Sequence, residues 1–462
     1  MTAGSVLNET IAAIATPQAV GGISVIRISG EDAFAVADAV FQSVSGKVPA
    51  NMKGYTASYG AIVEPRSGQV LDRGVLTVFR APHSYTGEDV AEISCHGGLL
   101  VTREVLRAVT AAGARPALPG EFTKRAFLNG KMDMTQAEAV SDLIAAGSEQ
   151  AMRISGEQTR GSLYRRIQGV KETLLALTGH LAVWADYPEE DIEEIETQNV
   201  QAQLSEIKGI LDKLLADYDT GCMLKNGVNT AIVGKPNVGK STLMNLLARR
   251  EKSIVTDIPG TTRDVVEDTI VLHDVVLNLA DTAGIRETDD VVESFGVQRA
   301  VEKINTAQLI LALFDNSKPL SEEDFSLLER LKVKPAIAII NKSDLENRLD
   351  TEVLRKSFKK VISISAQEES SFDIVSQAVS EVLRLGEIDP SLGMLANERQ
   401  YACVQEAHRA VCEAQMILSD GMTYDAVTVV LEEALQALLE LTGERATEEV
   451  VNQVFSQFCV GK

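Results

Sequence analysis

The sequence predicts a multidomain protein of mixed α/β and α+β class, and three observations support this prediction. A chain of 462 residues is long enough for about three domains at roughly 150 residues each. Two stretches have the apolar spacing of packed helices, and between them β-rich runs alternate with helical segments. We therefore expect an α/β domain inserted into a helical-bundle domain, with an α+β domain before both.

The N-terminal α+β domain is predicted over residues 1–130. Short β-rich runs occur there at 23–28, 75–79 and 90–94, with helical segments near 31–41 and 98–112. Gly and Pro interrupt these segments repeatedly, which is typical of a mixed module rather than of a bundle.

The helical domain is predicted in two halves, 131–226 and 386–462. In the first half, apolar residues recur at alternating steps of four and three from Leu163 to Trp184, which indicates one buried stripe on a long helix. In the second half a similar stripe runs from Val427 to Leu441. Both stripes are interpreted as bundle core.

The inserted domain is predicted over 227–385, where β runs alternate with polar or helical stretches. The runs are 230–233, 275–280, 309–314, 336–340 and 361–365. This alternation is typical of βαβ units around a mostly parallel sheet.

Composition excludes several classes. The formal charge of −22, from 44 basic and 66 acidic residues, argues against a polybasic protein that coats nucleic acid or membranes. The five cysteines lack Cys-x-x-Cys spacing, which argues against a disulfide scaffold or a cysteine-rich zinc site and favours a cytoplasmic location. No apolar run reaches the roughly 18 residues that a membrane span needs, and Met1 to Thr10 does not resemble a signal peptide.

Residues Gly234 to Ser241 match Gly-x-x-x-x-Gly-Lys-Ser, directly after one β run and before a helix start. In this motif backbone N–H groups surround phosphates at a helix N-terminus. Lys240 would reach the β- and γ-phosphates, and the Ser241 hydroxyl would bind Mg²⁺.

Three further segments each follow a β run, at the sheet edge where open α/β sheets bind ligands. They are Asp281-Thr282-Ala283-Gly284, Asn341-Lys342-Ser343-Asp344 and Ser365-Ala366. The Asp344 carboxylate can accept two N–H bonds from guanine, which adenine does not offer. Together the segments predict a Ras-like P-loop GTPase domain that binds GTP.

The pattern departs from Ras-like proteins after Gly284, because Ile285 stands where they carry a water-orienting Gln. An acidic residue further along (Glu287, Asp289, Asp290 or Glu293) and a bound K⁺ are candidate replacements. Asn237 and the segment 256–264 supply oxygens suited to K⁺. The alternative is that Asn237 braces the loop and Arg263 forms a surface ion pair, and the spacing does not decide between them.

At this point the chain resembles the MnmE (TrmE) family of tRNA-modifying GTPases over essentially its whole length. The resemblance also rests on Gly21–Gly30, Tyr85–Val90, His96–Gly98, Pro119–Thr123, Arg125–Lys131 and the terminal Phe458-Cys459-Val460-Gly461-Lys462. The family usually ends in Phe-Cys-Ile-Gly-Lys, so Val460 is a conservative departure.

The resemblance implies an N-terminal domain that binds 5-formyl- or 5,10-methylene-tetrahydrofolate and holds a homodimer. Its folate contacts would be Arg27, Glu92, Lys131 and Lys462, whose charges suit a folate's carboxylates and pterin N–H groups. With the FAD-dependent enzyme MnmG, such a protein adds an aminomethyl or carboxymethylaminomethyl group to C5 of the wobble uridine of certain tRNAs.

For the GTPase domain the resemblance implies Mg²⁺ at Ser241 and Thr262, K⁺ at Asn237, Thr256, Ile258 and Thr261, and Glu293 as the water-activating carboxylate beside catalytic Lys240. K⁺ and GTP would pair the G domains of a dimer, which activates hydrolysis. The GTP contacts would be Asn237, Val238, Gly239, Lys240, Ser241, Thr242, Thr256, Asp257, Ile258, Pro259, Gly260, Thr261, Thr262, Asp281, Thr282, Ala283, Gly284, Asn341, Lys342, Asp344, Ser365 and Ala366.

Two residues keep two interpretations each. Cys459 is either a nucleophile assisted by Lys462 or a small buried side chain behind Phe455 and Phe458. His96 is either a residue with a chemical role or, as the neighbouring Gly97-Gly98 favours, a turn histidine whose partners are backbone groups.

Two other functions compete with tRNA modification. One is a GTPase switch in ribosome assembly without chemistry of its own, and the other is a folate-dependent aminomethyltransferase that acts without tRNA. The N-terminal module and the Cys459–Lys462 tail favour the modification enzyme over the assembly switch, whereas folate binding alone would leave the aminomethyltransferase open.

Overall fold

The computed structural model of the chain describes residues 9–186, 197–250, 266–272, 275–280, 306–332, 334–383 and 389–461. Its contacts divide into two compact units. Unit 1 comprises the described parts of Met1–Ser141 and Leu439–Lys462, and unit 2 comprises those of Asp142–Leu438. The last residues of the chain, predicted as part of the helical domain, therefore group with the N-terminal residues.

Unit 1 is built on a seven-stranded sheet. Its strands are β1 (Ile11–Ile14), β2 (Ile23–Ser29), β3 (Phe41–Ser43), β4 (Thr56–Val63), β5 (Val70–Phe79), β6 (Val90–His96) and β7 (Arg115–Pro116). They are ordered β3-β4-β5-β6-β2-β1-β7, and the pairing is antiparallel except between β1 and β7. The three predicted β runs of this region all lie within strands, namely β2, β5 and β6.

Helices cover one face of this sheet. They include α1 (Ala33–Val40) and α2 (Leu99–Ala111), which match the two predicted helical segments, and a 3-10 turn lies at Pro49–Asn51. Alternate strand residues such as Ile26, Leu76 and Ile93 are fully buried beneath α1 and α2. The intervening residues point to the opposite face, which is where Arg27 and Glu92 lie.

A second, smaller core in unit 1 is shared by helices that follow the N-terminal sheet and by the C-terminal residues. Three helices contribute to it: α3 (Glu121–Leu128), α4 (Met134–Ala145) and α15 (Glu448–Ser456). Phe455 and Phe458 are buried there against Met134 and Ala137. The C-terminal residues are thus an integral part of unit 1.

Unit 2 contains long helices and a second sheet. The helices outside the sheet are α5 (Glu149–Thr159), α6 (Ser162–Asp186), α7 (Thr197–Ala216), α8 (Tyr218–Asn226), α13 (Glu398–Ser419) and α14 (Tyr424–Thr442), with a 3-10 turn at Pro390–Leu392. The predicted stripe from Leu163 to Leu181 lies on α6 and is buried. The side chain of Trp184 lies outside the described residues.

The second sheet has six strands in the order β13-β12-β11-β8-β10-β9. These are β8 (Val228–Val233), β9 (Val266–Leu272), β10 (Val275–Ala280), β11 (Leu309–Asp315), β12 (Ala336–Asn341) and β13 (Lys360–Ser363). All neighbours are parallel except the antiparallel pair β9 and β10. Strand β9 was not predicted.

Helices α9 (Lys240–Arg250), α10 (Glu322–Leu331), α11 (Thr351–Ser357) and α12 (Ser371–Val382) alternate with these strands. Consecutive residues of β11 are buried in different clusters, Leu311 in one and Ile310 in another, as expected for a parallel strand covered on both faces. The predicted fold class is therefore confirmed.

Within the described part of the chain, no helix combines the length and the apolar character that crossing a membrane requires.

Candidate functional site

The predicted phosphate loop connects the end of β8 to the start of α9. Gly234 and Gly239 have φ of +148° and +100°, conformations that favour glycine. A Cβ on Gly239 would lie 2.2 Å from Nδ2 of Asn341, so the loop also needs glycine for close approach. Asn237 has φ of 62°, which is uncommon for a residue other than glycine, and it is exposed.

Lys240 folds back onto this loop. Its Nζ donates hydrogen bonds to the carbonyl oxygens of Gly234 at 2.7 Å and Lys235 at 2.8 Å. Burial lowers the pKa of the Lys240 ammonium below its usual value. An anion placed beside Nζ would favour the charged form, so this loop suits a phosphate.

Asn341, at the end of β12, connects the phosphate loop with the segment after β13. Its Nδ2 donates to the carbonyl of Val238 at 2.8 Å, and its Oδ1 accepts from the N–H of Ala366 at 2.9 Å. Asn341 is 3% exposed, so both hydrogen bonds are made in the interior. Three of the predicted nucleotide-binding segments are therefore joined by one side chain.

Lys342 makes a second connection to the same loop. It has φ of 64°, and its Nζ donates to the carbonyl of Asn237 at 2.9 Å and to Oδ2 of Asp315 at 2.7 Å. Burial raises the pKa of Asp315, but hydrogen bonds from Lys342 and Ser317 outweigh burial and hold it below its usual value. The Asp315 carboxylate is thus ionised and fixes Lys342 against the loop.

Sequence reasoning missed two acidic residues here. Asp315 ends β11, which the strand order places between β8 and β12, and its place at the end of a β run was the available signal. Asp324, in the first turn of α10, pairs at 2.5 Å with Nζ of Lys235 in the phosphate loop. The Ser321-x-x-Asp324 capping box was the signal for that helix start, but not for the ion pair.

The remaining predicted residues fall into three groups. Ser241, Thr242 and Asp344 are exposed at the same edge of the sheet, where a ligand can reach them, whereas Val238, Ser365 and Ala366 are buried. The rest lie outside the described residues, namely Thr256, Asp257, Ile258, Pro259, Gly260, Thr261, Thr262, Arg263, Asp281, Thr282, Ala283, Gly284, Glu287, Asp289, Asp290, Glu293 and Lys462.

The predicted folate residues Arg27 and Glu92 lie opposite each other on β2 and β6. Nε of Arg27 donates to Oε1 of Glu92 at 2.8 Å, with about a fifth of each side chain exposed. The guanidinium of Arg27 lies 5.5 Å from the ring centre of Tyr85 and 5.7 Å from that of Phe122, within cation–π range. The structure thus brings these two predicted residues together and adds two aromatic rings.

Lys131 and the chain terminus belong to the same unit. Nζ of Lys131 donates to the carbonyl of Pro82 at 2.8 Å. Gly461 packs so closely on β1 that a Cβ there would lie 2.2 Å from the carbonyl oxygen of Ile14, and Ile14 is paired with Ile26 beside Arg27. Cys459 is exposed, so the interpretation of it as a buried thiol is wrong.

His96 also differs from its interpretation. It ends β6, and its ring Nδ1 and backbone N–H both contact the Asp72 carboxylate, each at 2.8 Å. Burial raises the pKa of Asp72, but the hydrogen bonds from His96 outweigh it and lower the pKa overall. In the described part of the chain, no group of three or more His, Cys, Asp or Glu residues is arranged to hold a metal ion.

Comparison with known proteins gives two family matches. A model described as "GTP-binding protein TrmE N-terminus" matches residues 10–131, and one described as "MnmE helical domain" matches residues 134–459.

Two relatives that match this chain over their whole length carry the same name. The tRNA modification GTPase MnmE of Geobacillus kaustophilus (strain HTA426) is 42% identical, with 98% of this chain and 99% of that protein covered. The protein of that name from Alkaliphilus oremlandii (strain OhILAs) is 39% identical, with 99% and 100% covered.

A solved structure of an Era variant from Aquifex aeolicus, bound to GDP and AlF4−, is 27% identical over 40% of this chain and 66% of that chain. Its TM-score of 0.27 supports no structural conclusion. The family models and the whole-length relatives, in contrast, show which family this is. The chain belongs to the MnmE (TrmE) family of tRNA modification GTPases.

Proposed function

We propose that this protein hydrolyses GTP and takes part in tRNA modification. The observation that carries the GTP part is the pair of connections from Asn341 and Lys342 to the phosphate loop, at 2.8 Å and 2.9 Å. They bring the residues suited to phosphates and those suited to guanine to one edge of the sheet. The tRNA part rests on whole-length similarity to tRNA modification GTPases.

We propose roles for Lys240, the loop N–H groups and Asp344 in this site. Lys240 would exchange its two carbonyl partners for the β- and γ-phosphates. Loop N–H groups and the α9 N-terminus favour the same negative charge. Asp344 would accept the guanine N–H groups, which gives selectivity for GTP over ATP.

Two cations belong to the proposal. Mg²⁺ would be held by Ser241 and Thr262, and the exposed Ser241 hydroxyl on the first turn of α9 fits that role. K⁺ would be held by Asn237, Thr256, Ile258 and Thr261. Because Lys342 already occupies the Asn237 carbonyl, the exposed side-chain amide is the Asn237 group open to a cation. These cations would supply positive charge near the phosphates.

Glu293 is proposed to activate the attacking water, since Ile285 offers no polar group for it. We expect Glu293→Ala to leave GTP affinity unchanged and to lower turnover by about 10²-fold or more, as loss of a general base does. Single-turnover hydrolysis measured alongside equilibrium nucleotide binding separates the two effects. Hydrolysis at the wild-type rate would assign the water to another residue.

The folate site is proposed around Arg27 and Glu92, with Lys131 and Lys462 as further contacts. Arg27 can pair with a carboxylate, Glu92 can accept pterin N–H groups, and the Tyr85 and Phe122 rings offer surfaces for a flat ring. The ligand would be 5-formyl- or 5,10-methylene-tetrahydrofolate. The exposed Cys459 thiol, close in sequence to Gly461 on β1, is proposed as a participating nucleophile.

The finer chemistry and partners complete the proposal. With FAD-dependent MnmG, the protein would add an aminomethyl or carboxymethylaminomethyl group to C5 of the wobble uridine of certain tRNAs in the cytoplasm. N-terminal domains would hold a homodimer, and K⁺ and GTP would pair the G domains. Because this chain has a charge of −22, much of the positive surface that contacts tRNA would come from MnmG.

The proposed domains are 1–130, 131–226, 227–385 and 386–462. The family-model boundary between residues 131 and 134 supports the first division. The helical family model extends to residue 459, which supports the second helical half. The contacts of the terminal residues group with unit 1, so we propose that the last part of this half also packs with the N-terminal domain.

The test is nucleoside mass spectrometry of bulk tRNA from cells that lack this protein. The cells are re-supplied with the wild type or with Asp344→Asn, which should lose guanine selectivity. Disappearance of C5-aminomethyl-type wobble uridines, restored by the wild type alone, supports GTP-dependent modification. Unchanged uridines would reject it and favour the ribosome-assembly switch instead.

A further inference from the structure

A cysteine, a histidine and an aspartate meet on two packed helices of unit 2, neither of which carries a predicted nucleotide residue. Nε2 of His408 on α13 lies 2.7 Å from Oδ1 of Asp212 on α7. Sγ of Cys412, one turn further along α13, lies 3.7 Å from Nε2 and 3.9 Å from Nδ1 of His408. Nζ of Lys208 pairs with the other Asp212 oxygen at 2.6 Å.

The partners fix how the imidazole can act. A hydrogen bond from Lys208, then one from His408, lowers the pKa of Asp212 despite slight burial, so its carboxylate is ionised and can only accept. Nε2 of His408 is the nitrogen that contacts this carboxylate, and Sγ of Cys412 lies at nearly equal distances from both ring nitrogens, so Nδ1 is the nitrogen that the Asp212 contact leaves open. A thiol beside an oriented histidine is the arrangement of an activated cysteine.

The other cysteines have different surroundings. Cys95 and Cys403 are buried, and Cys222 is partly exposed next to Tyr218. Cys459 is exposed and belongs to the tail proposed for the folate site, so its reaction is followed separately. Burial raises the pKa of the Cys95 and Cys222 thiols, which disfavours the reactive thiolate. Cys412 is partly exposed, as Cys222 is, but has His408 beside it.

We propose that Cys412 is a site of reversible thiol–disulfide exchange with low-molecular-mass disulfides, with His408 as its base and Asp212 as the residue that positions His408. The Sγ proton passes to Nδ1 of His408, and the sulfur attacks one sulfur of the small disulfide. A new Sγ–S bond forms as the original S–S bond breaks. The leaving thiolate takes the proton from His408, so Cys412 is oxidised as half of the disulfide is reduced to a thiol.

The test follows each cysteine of the full-length protein separately. The protein reacts with 5,5′-dithiobis(2-nitrobenzoic acid), is quenched in acid at timed intervals, and is mapped by peptide mass spectrometry. We expect Cys412 to be modified about tenfold or more faster than Cys222, the matched, partly exposed control. A small thiol added afterwards should restore Cys412.

Two variants separate activation of the Cys412 thiol by His408 from the effect of its solvent exposure. His408→Asn should lower the Cys412 rate to about that of Cys222, and Asp212→Asn should lower it in part, with the Cys222 rate and GTP hydrolysis unchanged. Equal rates for Cys412 and Cys222 in the wild type would overturn the proposal. So would a Cys412 rate that His408→Asn leaves unchanged.

Discussion

Asn341 holds the nucleotide site together through two interior hydrogen bonds, and this makes it the most informative single residue to change. In Asn341→Ala, the Val238 carbonyl and the Ala366 N–H lose their partner. Each unpaired buried group costs about 1–3 kcal/mol. We expect a lower melting temperature and weaker GDP binding, measured by thermal denaturation and calorimetry.

The control for this change is Asn347→Ala in the same connection. Asn347 is exposed and accepts one hydrogen bond from the N–H of Leu349, so its loss should have an effect within about 1 kcal/mol. If Asn341→Ala behaves like the control, the three segments are held together by other contacts.

In the proposed site, Asp344 determines which nucleotide base is bound. Asp344→Asn replaces an acceptor of guanine N–H groups with an amide that can donate to the oxygen of xanthine. Because hydrogen bonds to a charged group contribute about 1.5–3 kcal/mol, GTP affinity should fall by roughly 10- to 150-fold. Competition binding with GTP and XTP measures the change, and an unaltered preference for GTP would reject the role of Asp344.

At the residue scale, the motif alone predicted Lys240 and Asn341, because their spacing reflects the phosphates and loops they serve. Asp315 was not predicted, since its contact with Lys342 depends on which strands are neighbours in the sheet. His96 was misinterpreted for the same reason: its partner Asp72 is 24 residues away on another strand.

At the scale of elements, the C-terminal end of β11 supports the loop after β12. Asp315→Asn removes the carboxylate that fixes Lys342, a charged hydrogen bond of about 1.5–3 kcal/mol. Nucleotide affinity should fall by roughly tenfold or more, as fluorescence titration would show. Ser317→Ala is the matched control, because the Ser317 N–H still donates to Asp315 and Lys342 keeps its ion pair.

The pH dependence of this contribution follows from the lowered pKa of Asp315. Stabilisation by its carboxylate is fully present above the unfolded value of about 4 and is lost as pH falls through the lower folded pKa. Asp315→Asn should therefore reduce stability at pH 7 more than at pH 3. An equal reduction at both pH values would contradict the ionised state assigned to Asp315.

Periodicity predicted α1, α2, α6 and most strands of the second sheet. It missed β9, whose first half, Val266-Glu267-Asp268-Thr269, is too polar to read as a buried strand, and which pairs at the sheet edge. It also gave no strand order for unit 1. Arg27 and Glu92 are 65 residues apart and could be paired only through the resemblance or the structure.

At the scale of the whole molecule, the chain returns at its end to the unit in which it began. The sequence predicts residues 386–462 as one helical half, so it assigns residues 439–461 to the helical domain. The division of contacts instead groups these residues with the N-terminal unit, and Phe455 and Phe458 are buried against Met134 and Ala137 on α4. The terminal motif therefore lies in the same unit as Arg27 and Glu92, whereas the nucleotide residues lie in unit 2.

This arrangement predicts that a change in the tail affects modification and leaves GTP hydrolysis intact. In Gly461→Ala, the new Cβ would lie 2.2 Å from the Ile14 carbonyl at a φ of +100°, so the tail must leave β1. We expect faster hydrogen exchange at Gly120, whose N–H donates to the carbonyl of Cys459 in the tail at 3.3 Å, and loss of modified wobble uridines. The GTPase rate should stay within about twofold, since the nucleotide residues are in the other unit. Val460→Ala, at a side chain that is 54% exposed, should change none of these.

Normal uridines together with faster exchange would show that the tail is displaced but is not needed for modification, whereas a collapse of GTP hydrolysis would show that the two units are coupled through the tail.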